Sequence, residues 1–401
     1  MRIKSPFLCF FILKNVNIWE EMKMKLEMQR DTLLVALQAV SKAINKTALP
    51  ILQGIYVEVT NEEIIIKASD NTDTLVHLIP VDNEGVTVSS TGKTVFPKNI
   101  VDIVKRAGKT VEISSEDNGL ITKVKSGKKI DFDMNCMDPL EYPELPIKDL
   151  SQPTFSVSGE QFRDLARKSV FATSESQTRP ILTGVCLTVK GDCIELVATD
   201  SHRLSKLNLS VTTSNKEEMS IVIPKGTWDK GLKSFDLSKN VEFFVHELSV
   251  VMRNGQTVFN SRLLDGNFPD TSRLIPTDHK QKMTIDRKEL ISGLEFINGV
   301  VDDKKTASTK LHINGVASLS PSTAQSGKGN FDIFYDMFEG EDEFDINFSV
   351  RYCLEALQSI DTDTVDIHFE GPMRPFVINP VYDDISHSSK ELQLILPVRA
   401  S

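Results

Sequence analysis

The apolar residues Leu33, Leu34, Leu37 and Val40 fall at i, i+1, i+4 and i+7, with Lys42 and Lys46 following, a spacing that predicts an amphipathic helix over 31–46. The period then changes. Ile55-Tyr56-Val57-Glu58-Val59 and Ile64-Ile65-Ile66 are β-branched runs separated by the turn residues Thr60-Asn61-Glu62, and they read as strands. A second helix, over 97–109, is predicted to open at Pro97, a residue suited to a first helical turn, and to carry Ile100, Ile103 and Val104 on one side. Helices at 161–169 and 225–233, the latter opening at Pro224, and strands at 241–245 and 248–253 continue the pattern. Two stretches exit through proline-rich segments, Tyr142-Pro143-Glu144-Leu145-Pro146 and Phe268-Pro269-Asp270. Further on, 286–301 and 350–360 read as helices, 365–369 and 392–396 as strands, and 318–330, rich in Ser, Gly and Thr, as a surface loop.

These elements repeat. Leu49-Pro50-Ile51-Leu52-Gln53-Gly54 returns 130 residues later as Arg179-Pro180-Ile181-Leu182-Thr183-Gly184, and Ala68-Ser69-Asp70 returns at the same offset as Ala198-Thr199-Asp200. Phe96-Pro97-Lys98 returns as Ile223-Pro224-Lys225, and Leu145-Pro146 as Ile275-Pro276. Four matches in one order imply duplication of a domain, and the remaining stretch is long enough for a third copy. The expected division is therefore 24–150, 151–277 and 278–401, each with two helices on a strand-rich scaffold in an α+β arrangement. Residues 1–23 carry Arg2 and Lys4 before a short apolar run with no small-residue cleavage site, and they read as an extension outside the repeats.

Composition adds a constraint. The formal net charge of the 401 residues is -10, which argues against a protein gripping nucleic acid over its whole surface. The four helical stretches of the first two copies, however, carry twelve Lys or Arg against four Asp. Lys42, Lys46, Lys98, Lys105, Arg106, Arg163, Arg167, Lys168, Lys225 and Lys230 are the candidate DNA-facing residues, with Lys233 beside them. Basic residues on helices are ordinarily just solvated, and 286–295 of the third copy holds two basic residues against three acidic. Charge thus suggests a local, sequence-independent attraction to duplex DNA without establishing it.

Other chemistries fit poorly. The five cysteines are widely spaced with no CxxC pair, which points to buried thiols in a reducing cytoplasm and to neither disulfides nor a metal site. Asp200-Ser201-His202 are consecutive and cannot form a nucleophile, base and orienter relay. Gly92-Lys93-Thr94 and Gly108-Lys109-Thr110 lack the earlier glycine of a phosphate-binding loop, since Thr87 and Ile103 stand there. No enzyme, cofactor or membrane segment is expected.

The segment Val197-Ala198-Thr199-Asp200-Ser201-His202-Arg203-Leu204 closely resembles the signature of the second domain of the bacterial DNA polymerase III beta subunits, the sliding clamps, where a Gly normally stands in place of Ser201. Arg179-Pro180-Ile181-Leu182, Leu264-Asp265-Gly266-Asn267-Phe268-Pro269-Asp270 and Leu394-Ile395-Leu396-Pro397-Val398-Arg399 extend the resemblance over roughly 24–401. It implies three clamp domains per chain and two chains closing head to tail into a homodimeric ring around double-stranded DNA. It also implies contact through Val300 and Val301, and DNA-facing roles for Lys46, Lys105 and Lys225. A clamp loader, the DNA polymerase III alpha subunit and other polymerases or repair proteins are the implied partners. Their short motifs would enter a peptide pocket walled by Arg179, Leu182, Thr199, Ser201, His202, Arg203, Leu204, Pro269, Leu274, Ser349 and Tyr352, together with Leu394, Ile395, Leu396, Pro397, Val398 and Arg399. Leucines would form an apolar slot, and Arg179, His202 and Arg203 polar handles at its rim. Leu396 and Val398, where many clamps carry methionine, make a stiffer lip. The rival reading is a divergent clamp-like scaffold impaired in loading or partner binding.

Overall fold

The computed structural model describes residues 24–45, 49–81, 85–144, 150–214, 217–301, 303–304, 306–322, 329–382 and 389–399. The extension 1–23 and Lys46 lie outside them. Among the described residues, six α-helices, α1 (Arg30–Val40), α2 (Ile100–Lys105), α3 (Gly159–Ser169), α4 (Lys225–Ser234), α5 (Arg287–Val300) and α6 (Val350–Ser359), punctuate a succession dominated by strands.

The backbone forms two compact units. One comprises 1–153 with 229–262, the other 154–228 with 263–401, so the middle stretch contributes to both. Within the first unit, antiparallel strands follow in the order Val241–Val245, Ser249–Asn254, Thr257–Arg262, Asp73–Pro80, Glu63–Ser69, Gly54–Val59 and Gly92–Pro97. A second sheet of that unit ends on the edge strand Ile130–Asn135. Within the second unit, Met219–Pro224, Gly184–Lys190, Cys193–Thr199, Arg203–Ser210, Ser389–Ile395, Phe376–Pro380, Thr364–Phe369 and Gln281–Asp286 form the corresponding succession.

The two units use the same joint. In one, Thr74 pairs with Asn260, and in the other Leu204 pairs with Leu394, so a strand of one repeat hydrogen-bonds to the last strand of the next. A continuous ladder leaves no unsatisfied edge between adjacent repeats, which is why a repeat in the middle is divided between two compact bodies.

Local chemistry is duplicated too. Asp70 Oδ1 accepts from the backbone N of Thr72 and Asp73 at 3.1 and 2.9 Å, and Asp200 Oδ1 accepts from His202 and Arg203 at 2.9 and 3.1 Å. Ser69 Oγ donates to Asp73 O at 2.9 Å, as Thr199 Oγ1 donates to Arg203 O at 2.6 Å. These Asx turns force the next residue into the left-handed region, with φ 79 at Asn71 and φ 77 at Ser201.

Two expectations are corrected. Pro97 and Pro224 end strands instead of opening helices; they sit opposite Gly54 and Gly184 in the ladder, where a Cβ at Gly184 would meet Ile223 O at 2.7 Å. The loop expected at 318–330 is corrected at its start, because Val316–Pro321 is a strand paired with Ser308–Asn314, with Leu319 and Ala317 fully buried against α5, while 323–328 lie outside the described residues. Helix starts are set by capping where side chains allow it. Ser158 and Gln161 form a reciprocal capping box at α3, Asp286 caps α5 and Ser349 caps α6. Among the described residues no helix is long and apolar enough to cross a membrane.

Candidate functional site

Strand Arg203–Ser210 lies between Cys193–Thr199 and Ser389–Ile395, and its side chains alternate between the two faces of the sheet. On one face Leu204 and Leu394 stand opposite each other and pack with Cys186, Val197, Val222 and Val377. Leu182, from the 3-10 turn Pro180–Thr183, is 4% exposed. Ile181, Leu264, Phe268, Ile275 and Leu396 pack partly buried around this floor. The C-terminal tail is held in place by Leu396 N donating to His202 O at 2.9 Å and Val398 N donating to Asn347 O at 2.8 Å. Arg179, His202, Pro269 and Arg399 remain exposed, and Leu274 is 52% exposed. The result is an apolar floor with a polar rim, suited to an extended peptide that buries leucine-like side chains.

One wall is a buried ionic and aromatic network. Arg203 is 4% exposed; Nε donates to Asp200 at 3.0 Å, Nη2 to Phe171 O at 2.6 Å and Nη1 to Glu355. Its guanidinium lies 4.6 Å from the Tyr352 ring centroid, and the His202 ring stacks on that same Tyr352 ring with centroids 6.2 Å apart. Burial would raise the Glu355 carboxyl, but hydrogen bonds from Arg351 and Arg203 outweigh it and hold Glu355 below its ordinary value.

The structure brings Leu204, Leu394 and Leu396 into one apolar cluster, which does not include the buried Leu182, and moves other residues to different work. Arg203 is no rim handle, because it is 4% exposed and each of its three guanidinium nitrogens donates inside. Ile395 turns to the opposite face, 1% exposed in the core beneath α6. Ser349 is 9% exposed and accepts from Tyr352 N as the helix cap. Thr199 is likewise buried as a turn anchor. Ile181, Leu264, Phe268 and Ile275 were missed as floor residues, although their apolar character beside Pro180, Pro269 and Pro276 was the available signal.

The basic residues divide into two groups. Lys42, Lys98, Lys105 and Arg106 are exposed and Lys225 half-buried, with no carboxylate partner among the described residues. Arg163 is exposed and pairs with Glu160 at 3.1 Å. Lys168 and Lys230 do not belong to a DNA-facing set. Lys168, 7% exposed, pairs with Glu391 at 2.7 Å and Asp361 at 3.1 Å, and Lys230 pairs with Asp70 at 2.7 Å and Asp73 at 2.6 Å. Burial would lower both ammonium groups, yet the adjacent carboxylates raise them. Arg167 is tied to Asp361 at 2.6 Å and to Ser359 O at 2.8 Å. Of the expected contact residues at the end of α5, Val300 is 38% exposed but Val301 is 8% exposed and packs into its own core. Phe296, one turn before Val300, is 45% exposed and shares its helix face.

Residues 24–146, 156–270 and 272–399 match the N-terminal, central and C-terminal domains of the DNA polymerase III beta subunit. The chain is 33% identical over 385 residues to the beta sliding clamp of Bacillus subtilis, covering 94% of this chain and 100% of that one. It is 32% identical over 386 residues to the beta sliding clamp of Staphylococcus aureus, covering 94% and 99%. The crystal structure of the DNA polymerase sliding clamp from Bacillus subtilis superposes with a TM-score of 0.88 at 32% identity, covering 94% of this chain and 100% of that one. With all three domains matched in order on a pocket and repeat geometry already described, the chain belongs to the DNA polymerase III beta subunit family, the non-enzymatic beta sliding clamps.

Proposed function

We propose that this chain is a processivity factor: a homodimeric ring that encloses duplex DNA and tethers polymerases to it. Its domains are taken as 24–150, 151–277 and 278–401. The observation that carries the reading is the repeated joint, Thr74 opposite Asn260 and Leu204 opposite Leu394, because the same building rule is applied within each compact unit, as in an array of repeats. A heterologous contact between two such arrays closes a ring. Phe296 and Val300 on α5 offer one apolar surface for closure, and Phe132, 47% exposed on the edge strand Ile130–Asn135, offers another.

Lys42, Lys98, Lys105, Arg106, Arg163 and Lys225 supply attraction to phosphate without base readout, with Lys46 a further candidate outside the described residues. The pocket over Leu204 and Leu394 takes short motifs from a clamp loader, the DNA polymerase III alpha subunit and other polymerases or repair proteins in the cytoplasm. The test is primer extension with a polymerase and loader of the same organism. Addition of the chain should lengthen products made in a single binding event, and Leu396→Asp, at a half-buried position on the edge of the floor, should abolish the gain while leaving the dimer intact. Products of unchanged length with the unaltered chain would contradict the reading.

A further inference from the structure

The sheet face that floors the peptide pocket does not stop there. Along the same face, Leu204 opposite Leu394 is followed by Lys206 opposite Leu392 and Asn208 opposite Lys390, each step two residues and about 7 Å further on. Val377 lies opposite Leu394, and Asn379, two residues on, keeps the same side. At this second position is a cavity of 460 Å³ bounded by Lys206, Asn208, Ile275, Asn379, Lys390 and Leu392. Ile275 and Leu392 also pack against the Leu204 and Leu394 floor, so the cavity and the pocket share a wall.

Its chemistry differs from the pocket's. Lys206 is held by Glu195 at 2.7 Å, whereas Lys390 is exposed and has no carboxylate partner among the described residues. Glu391 also lines the cavity, but its buried carboxylate is paired with Lys168 at 2.7 Å and not with Lys390. An apolar wall with one uncommitted ammonium and two side-chain amides fits a short aliphatic stem ending in a carboxylate.

We infer that this cavity is a second station for the same partner peptide, receiving an acidic residue that flanks its apolar motif. The inference rests on the pocket reading above. An extended peptide seated over Leu204 and Leu394 and running along the strands reaches the cavity within two or three residues, at about 3.3 Å each. Partners with acidic flanks would then outcompete partners with neutral ones for one pocket.

The experiment is fluorescence anisotropy on the full-length protein with four labelled peptides. All carry the same extended pentapeptide with leucines at alternate positions, followed or preceded by three Asp or by three Ser. The expected result is that one Asp peptide binds about tenfold more tightly than its Ser counterpart at low salt, and that Lys390→Glu removes this gain and leaves the Ser peptides unchanged. The gain should also shrink at high salt, as the separation of partly exposed charges requires. Equal binding of Asp and Ser peptides, or a gain that survives Lys390→Glu, would overturn the second station while leaving the pocket intact. Failure of all four peptides to bind would overturn the pocket reading and this inference together. Thermal unfolding of the Lys390→Glu protein, expected unchanged at this exposed site, separates loss of contact from loss of fold.

Discussion

Asp73 and Arg203 occupy the same position in two copies of one turn and carry opposite charge. Each donates its backbone N to the Asx carboxylate three residues earlier, Asp70 or Asp200. Asp73 then joins Asp70 in holding Lys230 within the first unit, whereas Arg203 reaches Asp200, Glu355 and Phe171 O within the second. The backbone device is preserved while the side chain is reassigned, and of these two copies the second turns its strand end into a wall of the pocket proposed to take peptides.

Arg203→Ala should lower stability by about 3–5 kcal/mol, since it leaves Asp200 and Glu355 with lost partners in a buried site. Arg203→Lys should recover only part of it, because one ammonium cannot span three acceptors as the planar guanidinium does. Chemical denaturation measures both, and equal stability of the Lys variant and the unaltered chain would contradict the assignment.

Ser201 holds φ 77 where an L side chain other than Asn or Asp is strained. Ser201→Gly should therefore stabilise by about 0.5–1 kcal/mol, and Asn71→Gly, at φ 79, by less, because asparagine tolerates that region. The midpoint of thermal unfolding reads the difference; a lower midpoint for Ser201→Gly would show that the hydroxymethyl makes a compensating contact.

Lys168 and Glu391 meet at 2.7 Å with Glu391 6% exposed. Burial pushes the Glu391 carboxyl above its ordinary value, only partly offset by Lys168. Lys168→Met should cost about 3–5 kcal/mol, and the double change with Glu391→Leu should recover most of it. Chemical denaturation of the single and double variants decides it, and additive losses would mean that the two residues act independently.

His77 is buried, with Nδ1 2.9 Å from Thr257 Oγ1, and burial, followed by the charge of Lys239, pushes its pKa down to about 4. The unfolded chain takes up this proton near pH 6.5, so stability should fall as pH drops from about 6.5 to about 4 and this contribution should level off below. His77→Gln should flatten that part of the stability curve measured by denaturant titration at successive pH values. An unchanged slope would place the titration elsewhere.

The repeat was legible because its markers are local: proline before a tight turn, glycine where strands approach, an acid starting an Asx turn. The apolar floor was half legible, through Leu204, Leu394 and Leu396. Strict alternation along the last strand sends Ile395 to the opposite face from Leu394, a signal that the sequence carries in its period of two. Lys168 and Lys230 were not legible at all. Their carboxylates are remote in the chain, Asp70 being 160 residues from Lys230, and nothing local distinguishes a buried paired lysine from a solvated one. Pro97 and Pro224 carried an ambiguous signal, since a proline ends an edge strand as readily as it opens a helix.

The most direct test of the central claim is retention on primed circular DNA after incubation with a loader of the same organism and ATP, followed by cutting the circle. The account predicts that the protein stays on the closed circle at moderate salt and leaves through the ends once the circle is linearised. Retention that is unaffected by cutting would contradict enclosure and show ordinary electrostatic attachment, and no loading by an active loader of the folded dimer would favour a scaffold that has lost the clamp's function.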